Sequence, residues 1–369
     1  MVFCCRSRRP SYQARETVIK GGGGDTLSPS EDVHRPDFQA PYAPPPTSQN
    51  QSQNSIQQHR ERPASQRSEQ PPVSSVTSVA GDHCFPSLVS YRLDEQEVLL
   101  TRKLATSAFS IVWLAHYHGM DVAIKKLVNG TDDTESFARE VEIMSKLMHP
   151  KIVRFIGCTW TNSFDLNVVT EFMAGGDLRT LLDNRKVALS WYKEKLSIAI
   201  DIAEALAFLH NQSPKIIHRD LKARNVLLTK KYVAKLNDFS RSRDRSYTQT
   251  MTAGVGSVSW SAPEVTLGQY YGEQADIYSF GVVLSELDTR DSPFEETSGK
   301  RSGDRRDIKL VIQVAKGEFR PKFSEECPDA IQRIAHACLQ YEPTVRPSAA
   351  RLVRLLKSFR QEQEKARTI

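Results

Sequence analysis

The stretch HRDLKARN at residues 218–225 decides how the rest of the sequence is understood. It places the carboxylate of Asp220 five residues before the amide of Asn225. A second stretch, LNDFS at residues 236–240, brings Asp238 thirteen residues beyond Asn225. An Asp-Phe-Ser triplet alone carries no information, but its spacing from Asp220 makes the combination specific. Both side chains offer hard oxygen atoms, the kind of ligand that Mg²⁺ prefers.

An apolar run that ends in a lysine, VAIK at residues 122–125, lies upstream in the chain. Glu140 follows Lys125 by fifteen residues, inside a helical pattern from about Thr134 to Leu147. Taken singly, such a lysine is common at the end of a surface strand, and a lone helix glutamate usually belongs to a solvated face. A buried lysine beside a carboxylate, in contrast, stays charged and fixed. Spacing alone leaves both roles open for Lys125 and Glu140.

These motifs resemble those of the eukaryotic protein kinase family, and further matches cover essentially the whole region from Val98 to Leu356. The resemblance implies an α+β fold, with a small β-rich lobe followed by a larger helical lobe. It implies a transferase that moves the γ-phosphoryl group of ATP to protein substrates in signal transduction, with Mg²⁺ or Mn²⁺ as the metal. Three segments are typical of the tyrosine-kinase-like group, whose members are mostly serine/threonine kinases: GSVSWSAPE (256–264), GEFRP (317–321) and RPS (346–348).

The family's phosphoryl-transfer template implies a role for each polar residue. Asp220 would accept the proton of the substrate hydroxyl, and Lys222 would steady the transferred group as a point charge. Lys125 would pair with the α- and β-phosphates, and Glu140 would orient that lysine. Asn225 and Asp238 would bind the metal. Lys222, two residues after Asp220, also resembles serine/threonine kinases, so tyrosine specificity is the less favoured alternative.

The nucleotide pocket is predicted from the same resemblance. Thr170 resembles the gatekeeper, and the backbone of the hinge at 171–173 would hydrogen-bond adenine. The apolar members would sandwich the purine ring, although core packing is the ordinary role of such residues. The predicted ATP-binding residues are Leu104, Ala105, Ser107, Val112, Ala123, Lys125, Thr170, Glu171, Met173 and Leu227.

The chain departs from the family at two places. The loop that covers the nucleotide reads ATSAFS at 105–110 and has no glycine where the family has G-x-G-x-x-G. Glycine lets the backbone approach phosphates and adopt positive φ without steric cost, so we expect a stiffer loop and weaker ATP affinity. Ser240 replaces the glycine of the DFG motif, and its Cβ should restrict the backbone rotation that switches the motif. Neither change removes a charge that the reaction needs. We therefore expect an active kinase, with a pseudokinase or scaffold as the alternative.

Regulation is expected in the segment that follows the DFG-like motif. Arg219 precedes Asp220 and can clamp a phosphate on residues 240–262 through paired hydrogen bonds. We expect an upstream kinase as a partner, and a phosphorylated segment that is more ordered and supports higher activity. The available acceptors are Tyr247, Thr248, Thr250 and Thr252.

The N-terminal residues have few core-forming side chains. From Ser11 to about Pro86 they are dominated by Ser, Gln, Pro, Gly and Arg, which bury too little apolar surface to offset their ordering entropy. We therefore expect disorder there, with partner docking as the less favoured use. The expected division of the chain is 1–93 (disordered), 94–361 (kinase domain, lobes 94–171 and 176–361) and 362–369 (C-terminal tail).

The N-terminus, MVFCCRSRRP, places Cys4 and Cys5 beside three arginines. Two acyl anchors reinforced by anionic lipids would use such chemistry, which makes a membrane surface a candidate partner. A frayed terminus with two incidental thiols fits equally well. Elsewhere no apolar stretch is long enough to span a bilayer. The six cysteines lack disulfide or metal spacing, which favours a reducing, cytoplasmic location.

Charge argues against nucleic acid as a partner. The net charge is +6, and both signs are mixed along the kinase-like region. Such a mild excess is ordinary for solubility, so a dedicated nucleic-acid surface is not expected.

Overall fold

The computed structural model describes residues 84–107, 110–128, 134–244, 258–293, 312–318 and 321–368. The predictions for Cys4 and Cys5, and for the rest of the first 83 residues, fall outside these ranges. The same holds for the four predicted acceptors, Tyr247, Thr248, Thr250 and Thr252. Among the described residues, no helix combines the length and the apolar character that crossing a membrane requires.

The small lobe is built on a five-stranded antiparallel sheet with the strand order β1-β2-β3-β5-β4. Its strands are β1 (Leu99–Thr106), β2 (Ser110–Tyr117), β3 (Met120–Leu127), β4 (Phe155–Thr159) and β5 (Asn167–Glu171). His118 and Gly119 join β2 to β3 with φ values of 47° and 75°, the positive pair that suits a tight hairpin. Short runs rich in β-branched and aromatic residues at 97–104, 111–116 and 121–127 predict an antiparallel meander. The sheet confirms this prediction.

The sequence from Ile152 to Cys158 predicts a strand over its whole length. The structure differs, because the segment at Ile152 lies outside this sheet. Val153 N donates to Leu236 O at 2.9 Å, and Leu236 N donates to Lys151 O at 2.9 Å. The backbone here therefore pairs with the large lobe, and β4 begins only at Phe155. A β-branched run indicates an extended chain but does not specify which partner its backbone takes.

One helix, α1 (Thr134–Lys146), packs against the sheet. Its side chains Phe137, Glu140, Val141 and Met144 are buried, and spacings of three and four residues place them on one face. The predicted helix is confirmed. Because Glu140 belongs to the buried face, the helix carries a carboxylate into the interior of the lobe.

Residues 84–93, called the strap below, pack on the small lobe, which corrects our expectation of disorder up to residue 93. The strap contains a 3₁₀-helix (Pro86–Tyr91), in which side chains three residues apart align. Phe85, Leu88 and Tyr91 have this spacing, and Leu88 is fully buried. These apolar residues are too few to stand out in the composition, yet they share one side of a turn.

Aromatic and polar contacts fasten the strap. The guanidinium of Arg92 lies 4.6 Å from the centre of the Trp160 ring, and its Nη2 donates to Trp160 O at 2.9 Å. Phe85 meets the same ring edge-on, with the ring centroids 5.5 Å apart. Ser87 donates a hydrogen bond to Glu142 on α1. The strap is thus joined both to the end of β4 and to the helix that carries Glu140.

Gly157 on β4 gives the strap the space that it occupies. A Cβ at this position would lie 2.6 Å from Leu93 Cγ and 2.7 Å from Tyr91 O. Real Cβ atoms do not approach other atoms so closely, and the carbonyl belongs to backbone that cannot move by itself. The close fit therefore requires glycine.

The large lobe is helical. Its helices are α2 (Leu178–Asp183), α3 (Glu194–His210), α4 (Pro263–Thr266), α5 (Gln274–Thr289), α6 (Asp329–Cys338) and α7 (Ala349–Thr368). Its short strands pair as β6 (Ile216–Ile217) with β9 (Arg243–Asp244), and as β7 (Val226–Leu228) with β8 (Ala234–Leu236). Helices α3 and α5 are buried around most of their circumference, as expected for helices inside a core. The predicted α+β fold with two lobes is confirmed.

Ser348, which follows Pro347, and an apolar stripe at Leu352, Leu355, Leu356 and Phe359 predict a C-terminal helix. The helix is present as α7. Ser348, the expected N-cap, accepts a hydrogen bond from Arg351 N at 3.3 Å. The helix continues to Thr368, so residues 362–368 extend it, whereas we had set them apart as a tail. Its apolar stripe is buried at Leu352, Leu356 and Phe359.

Candidate active site

The loop at residues 218–225, called the HRD loop below, is fastened to helix α5 by Asp276. The Asp276 side chain is fully buried and accepts hydrogen bonds from His218 N at 2.8 Å and Arg219 N at 2.9 Å. His210 Nε2 lies 2.9 Å from the same carboxylate. Burial raises the pKa of Asp276, but the other contacts, with His210 foremost, together lower this pKa below its ordinary value. The carboxylate is therefore ionised and fixes two consecutive backbone N–H groups.

Within the HRD loop, two polar side chains converge on Asp220. Lys222 Nζ donates to Asp220 Oδ2 at 2.7 Å, and Asn225 Nδ2 donates to the same oxygen at 2.9 Å. The other carboxylate oxygen, Oδ1, is buried and has no hydrogen-bond partner among the residues that the structure describes. A buried acceptor without a donor is costly. A hydroxyl group of a bound molecule would supply the missing donor.

Strand β3 and helix α1 bring Lys125 and Glu140 together. Lys125 Nζ lies 2.8 Å from Glu140 Oε1 and 3.0 Å from Oε2. Glu140 is buried, whereas 24% of the Lys125 side chain remains exposed. The Phe137 ring, on the same face of α1 as Glu140, lies 5.2 Å from the ammonium. The helix therefore holds the ammonium at the border of the core and leaves part of it accessible.

Asp238 lies near Lys125 as well. Its Oδ1 is 3.8 Å from Lys125 Nζ and 2.7 Å from Ser240 Oγ. Burial raises the pKa of Asp238, but the charge of Lys125 and the hydrogen bond from Ser240 together lower this pKa below its ordinary value. The next residue, Phe239, is fully buried, with its ring 5.2 Å from that of His218. The segment thus presents an ionised carboxylate beside the lysine.

The side chains of Asn225 and Asp238 suit a hard divalent cation. Asn225 Nδ2 donates to Asp220 O at 2.8 Å, which turns the amide oxygen away from that carbonyl. No group of three or more His, Cys, Asp or Glu side chains within the described ranges could hold a metal. Mg²⁺ often takes only one or two protein ligands and completes its shell with phosphates and water. The donor set therefore fits a metal bound together with a nucleotide.

The sheet register brings predicted nucleotide-pocket residues together. Ala105, Val112 and Lys125 lie opposite one another across β1, β2 and β3. Ala123 pairs with Thr170 across β3 and β5. The pairings place these five residues on four adjacent strands. The remaining members are Leu104 and Ser107 near the end of β1, Glu171 at the end of β5, the buried Met173, and Leu227 on β7.

Two serines close the hairpin between β1 and β2, where the family has glycines. Ser107 N donates to Ser110 O at 2.8 Å, and Ser110 N donates to Ser107 Oγ at 2.9 Å. The two hydroxyl oxygens are 3.1 Å apart. A glycine has no side-chain acceptor of this kind. Side-chain hydrogen bonds therefore support this turn.

Arg219, the predicted phosphate clamp, is partly buried next to Tyr271. Its Nε donates to the Tyr271 hydroxyl, and its guanidinium lies 5.2 Å from the centre of that ring. The acceptors that we expected it to bind fall outside the described ranges, so its phosphate-clamping role stays a prediction.

Sequence reasoning missed Glu286 on α5. This buried carboxylate accepts hydrogen bonds from Ala223 N at 3.1 Å, Trp260 Nε1 at 2.7 Å and Arg179 Nη1 at 3.3 Å. Burial raises its pKa above the ordinary value. The available signal was a glutamate inside an otherwise apolar helix, because such a residue is seldom buried without partners. Glu286 joins the HRD loop to the segment at Trp260 and to helix α2.

Comparison with known proteins shows which family the chain resembles. Residues 98–356 match the family described as protein tyrosine and serine/threonine kinase. The chain is 34% identical over 273 residues to a probable serine/threonine-protein kinase of Dictyostelium discoideum, covering 73% of this chain and 43% of the relative. It is 36% identical over 264 residues to the serine/threonine-protein kinase CTR1 of Arabidopsis thaliana, covering 70% of this chain and 31% of the relative.

The chain therefore belongs to the protein kinase family. A third relative, a probable LIM domain-containing serine/threonine-protein kinase of Dictyostelium discoideum, is 36% identical over 290 residues. That match covers 77% of this chain and 43% of the relative. The chain thus spans less than half the length of the curated relatives that it matches here. Members of the family act on proteins with ATP and a divalent metal.

Proposed function

We propose that this chain is an ATP-dependent protein kinase that phosphorylates serine and threonine hydroxyls of protein substrates. The observation that carries the proposal is the geometry around Lys125, whose ammonium contacts Glu140 at 2.8 Å and Asp238 at 3.8 Å. The residue types and distances match what binding of nucleotide phosphates and a metal requires. Lys222 supports serine/threonine specificity, and so do the relatives named above, which are described as serine/threonine-protein kinases.

Asp220 and Lys222 act on the acceptor side of the reaction. The substrate hydroxyl donates to Asp220 Oδ1, the buried oxygen without a partner among the described residues. As the bond from the hydroxyl oxygen to the γ-phosphorus forms, the proton passes to this carboxylate. The bond to the β-phosphate oxygen breaks, and ADP leaves with the electron pair. Lys222, already 2.7 Å from Asp220, steadies the negative phosphoryl oxygens.

Lys125 binds the donor side. Its partly exposed ammonium pairs with the α- and β-phosphates, while Glu140 keeps it charged and oriented. Asn225 and Asp238 would hold Mg²⁺ or Mn²⁺, which would supply positive charge to offset that of the phosphates. The adenine ring lies against the predicted apolar residues, with Thr170 as gatekeeper. Hydrogen bonds between Ser107 and Ser110 hold the β1–β2 hairpin, where the family has glycines.

Regulation and location extend the proposal. Phosphorylation by an upstream kinase at one or more of the acceptors in 245–257 gives Arg219 a phosphate to bind, which raises activity. Palmitoylation of Cys4 and Cys5 brings a cytoplasmic kinase to the membrane surface. A Cys→Ser change at both positions that leaves the membrane fraction unaltered would contradict the second statement.

Transfer of radiolabelled phosphate from ATP to a generic serine/threonine substrate tests the function. We expect transfer under Mg²⁺ or Mn²⁺ by the unsubstituted chain, with label on Ser or Thr, and none by Asp220→Asn. Asp121→Asn is the matched control, because Asp121 is an exposed aspartate on β3 whose side chain contacts the exposed His116. Label on Tyr would support the tyrosine alternative. Absence of transfer by the folded, unsubstituted chain would support the pseudokinase.

A further inference from the structure

Ser240 differs from the family's glycine by a hydroxyl group, and that hydroxyl has a specific partner. Ser240 Oγ donates to Asp238 Oδ1 at 2.7 Å. The backbone N–H of Ser240 points to the same oxygen but lies at 3.4 Å, beyond the usual range of a strong hydrogen bond. A glycine at position 240 could offer only the longer backbone contact. The side chain therefore supplies the stronger contact.

Lys125 and Ser240 contact the same oxygen of Asp238. Lys125 Nζ lies 3.8 Å from Oδ1, the atom that also accepts from Ser240. Two contacts at Oδ1 restrict rotation of the carboxylate and direct Oδ2 elsewhere. A hydroxyl that donates to an ionised carboxylate forms one of the stronger hydrogen bonds in proteins. The pair of contacts thus selects one orientation of the group that would meet a metal.

The backbone on both sides of Asp238 is held independently. Asn237 N donates to Asn225 O at 2.9 Å, and Asn237 O lies 3.1 Å from His218 Nε2. Phe239 is fully buried. Asp238 itself has a φ of 65°, in the left-handed region that aspartate tolerates better than most residues. With the neighbours fixed, the remaining freedom is rotation of the Asp238 side chain, which the Ser240 hydroxyl limits.

We propose that Ser240 is a positioning residue, whose hydroxyl holds the Asp238 carboxylate in the orientation that binds the divalent metal. The inference rests on the proposed kinase function and adds a residue that the family template does not use. The Cβ of Ser240 restricts the backbone more than a glycine would, but its hydroxyl fixes the Asp238 carboxylate in return. Loss of the hydroxyl should therefore weaken metal binding without unfolding the protein, since Ser240 is exposed.

Binding of Mn²⁺ to the full chain with a non-hydrolysable ATP analogue tests this directly. The electron paramagnetic resonance signal of free Mn²⁺ reports binding without any turnover. We expect the Mn²⁺ dissociation constant to rise about tenfold in Ser240→Ala and at least as much in Ser240→Gly, in line with loss of a hydrogen bond to a charged group. Ser240→Thr keeps the hydroxyl and should bind Mn²⁺ within about twofold of the unsubstituted chain.

Thr344→Ala is the matched control. Thr344 Oγ1 donates to Glu342 Oε1 at 3.0 Å, so this exposed pair has the same spacing of two residues and lies on another part of the chain. This control should bind Mn²⁺ like the unsubstituted chain. All variants should melt within about 2 °C of the unsubstituted chain, which excludes unfolding as the cause of weaker Mn²⁺ binding.

The outcomes separate this inference from the proposed function. Equal Mn²⁺ affinity in Ser240→Ala, Ser240→Gly and the unsubstituted chain would overturn the role of Ser240 while leaving kinase activity intact. A loss in Ser240→Ala that Ser240→Thr does not restore would also overturn it, because the hydroxyl would then not be the responsible group. No Mn²⁺ binding by the unsubstituted chain, together with no phosphoryl transfer, would overturn the proposed function and this inference with it.

Discussion

The two halves of the candidate active site are held in place by different kinds of contact. In the large lobe, Asp276 and Glu286 are fully buried carboxylates of α5 that bind the backbone of the HRD loop. In the small lobe, Lys125 keeps 24% of its side chain exposed. Helix α1, which carries Glu140, is bonded to the strap through Ser87 and Glu142. One half is therefore part of a core, and the other depends on peripheral contacts.

Because the two halves are held by different contacts, substitutions in them should affect stability and activity differently. A buried charge network cannot lose a member without leaving another charged or polar group unpaired in the interior. A partly exposed ion pair can lose a member, because water replaces it. Substitutions in the large-lobe half should therefore affect folding and catalysis together, whereas substitutions in the small-lobe half should affect catalysis first.

The largest effect is expected from Asp276→Ala. The change leaves His210 and the backbone N–H groups of His218 and Arg219 without their acceptor. We expect a loss of about 3–5 kcal/mol in the free energy of unfolding and loss of phosphoryl transfer. Urea denaturation and the transfer assay measure the two quantities. Unchanged stability would show that the HRD loop does not depend on α5, and the comparison between the lobes would fail.

Glu140→Gln should lower activity by about 10²-fold, because a misplaced Lys125 no longer meets the phosphates. The free energy of unfolding should fall by less than in Asp276→Ala, since the Lys125 side chain is partly exposed and water can hydrate the freed ammonium. Steady-state kinetics and thermal melting measure these effects. Glu135→Gln is the control on the same helix, where Glu135 forms an exposed pair with Arg139. It should leave activity unchanged, and equal losses in both variants would contradict the role of Glu140.

Leu88→Ala tests whether the strap supports the small lobe. Removing a buried leucine side chain should cost about 2–5 kcal/mol in stability. Helix α1 loses support at the same time, so we expect activity to fall a few-fold, less than in Glu140→Gln. Val89→Ala is the matched control, because Val89 is the adjacent residue and 40% exposed. Similar melting temperatures for the two variants would show that the strap does not stabilise the small lobe.

The smallest effect concerns pH and Asp276→Asn. The folded-state pKa of Asp276 lies below the unfolded value of about 3.9, so its contribution to stability is complete above that pH. The contribution disappears as the pH falls through the folded-state pKa. The difference in unfolding free energy between the unsubstituted chain and Asp276→Asn should therefore shrink as the pH falls below about 4. A difference that stays constant with pH would exclude the carboxylate charge as its source.

Local spacing predicted the parts of the site that lie close together in sequence. The intervals from Asp220 to Asn225 and to Asp238 indicated the motif, and apolar periodicity indicated helix α1. Prediction from spacing failed where a residue contacts a partner that is distant in sequence. Glu286 binds Ala223 sixty-three residues away, and nothing in the residues around Glu286 specifies that partner.

Two misjudged segments have related causes. The strap was hidden because three apolar residues at intervals of three do not raise the hydrophobicity of a Pro- and Ser-rich region. Ile152 lies in a β-branched run, which favours an extended chain whether or not it joins the nearest sheet. In both cases the deciding contact comes from a distant part of the chain, Trp160 for the strap and Leu236 for Ile152.

The close fit of the strap over Gly157 has a practical consequence for anyone preparing this protein. The family match begins at residue 98, and a fragment cut there would lack the strap. The Trp160 side chain and the site vacated by Leu88 would then meet water as a new apolar patch, the kind of surface through which proteins aggregate. A fragment intended for soluble expression and crystallisation should therefore begin no later than Cys84.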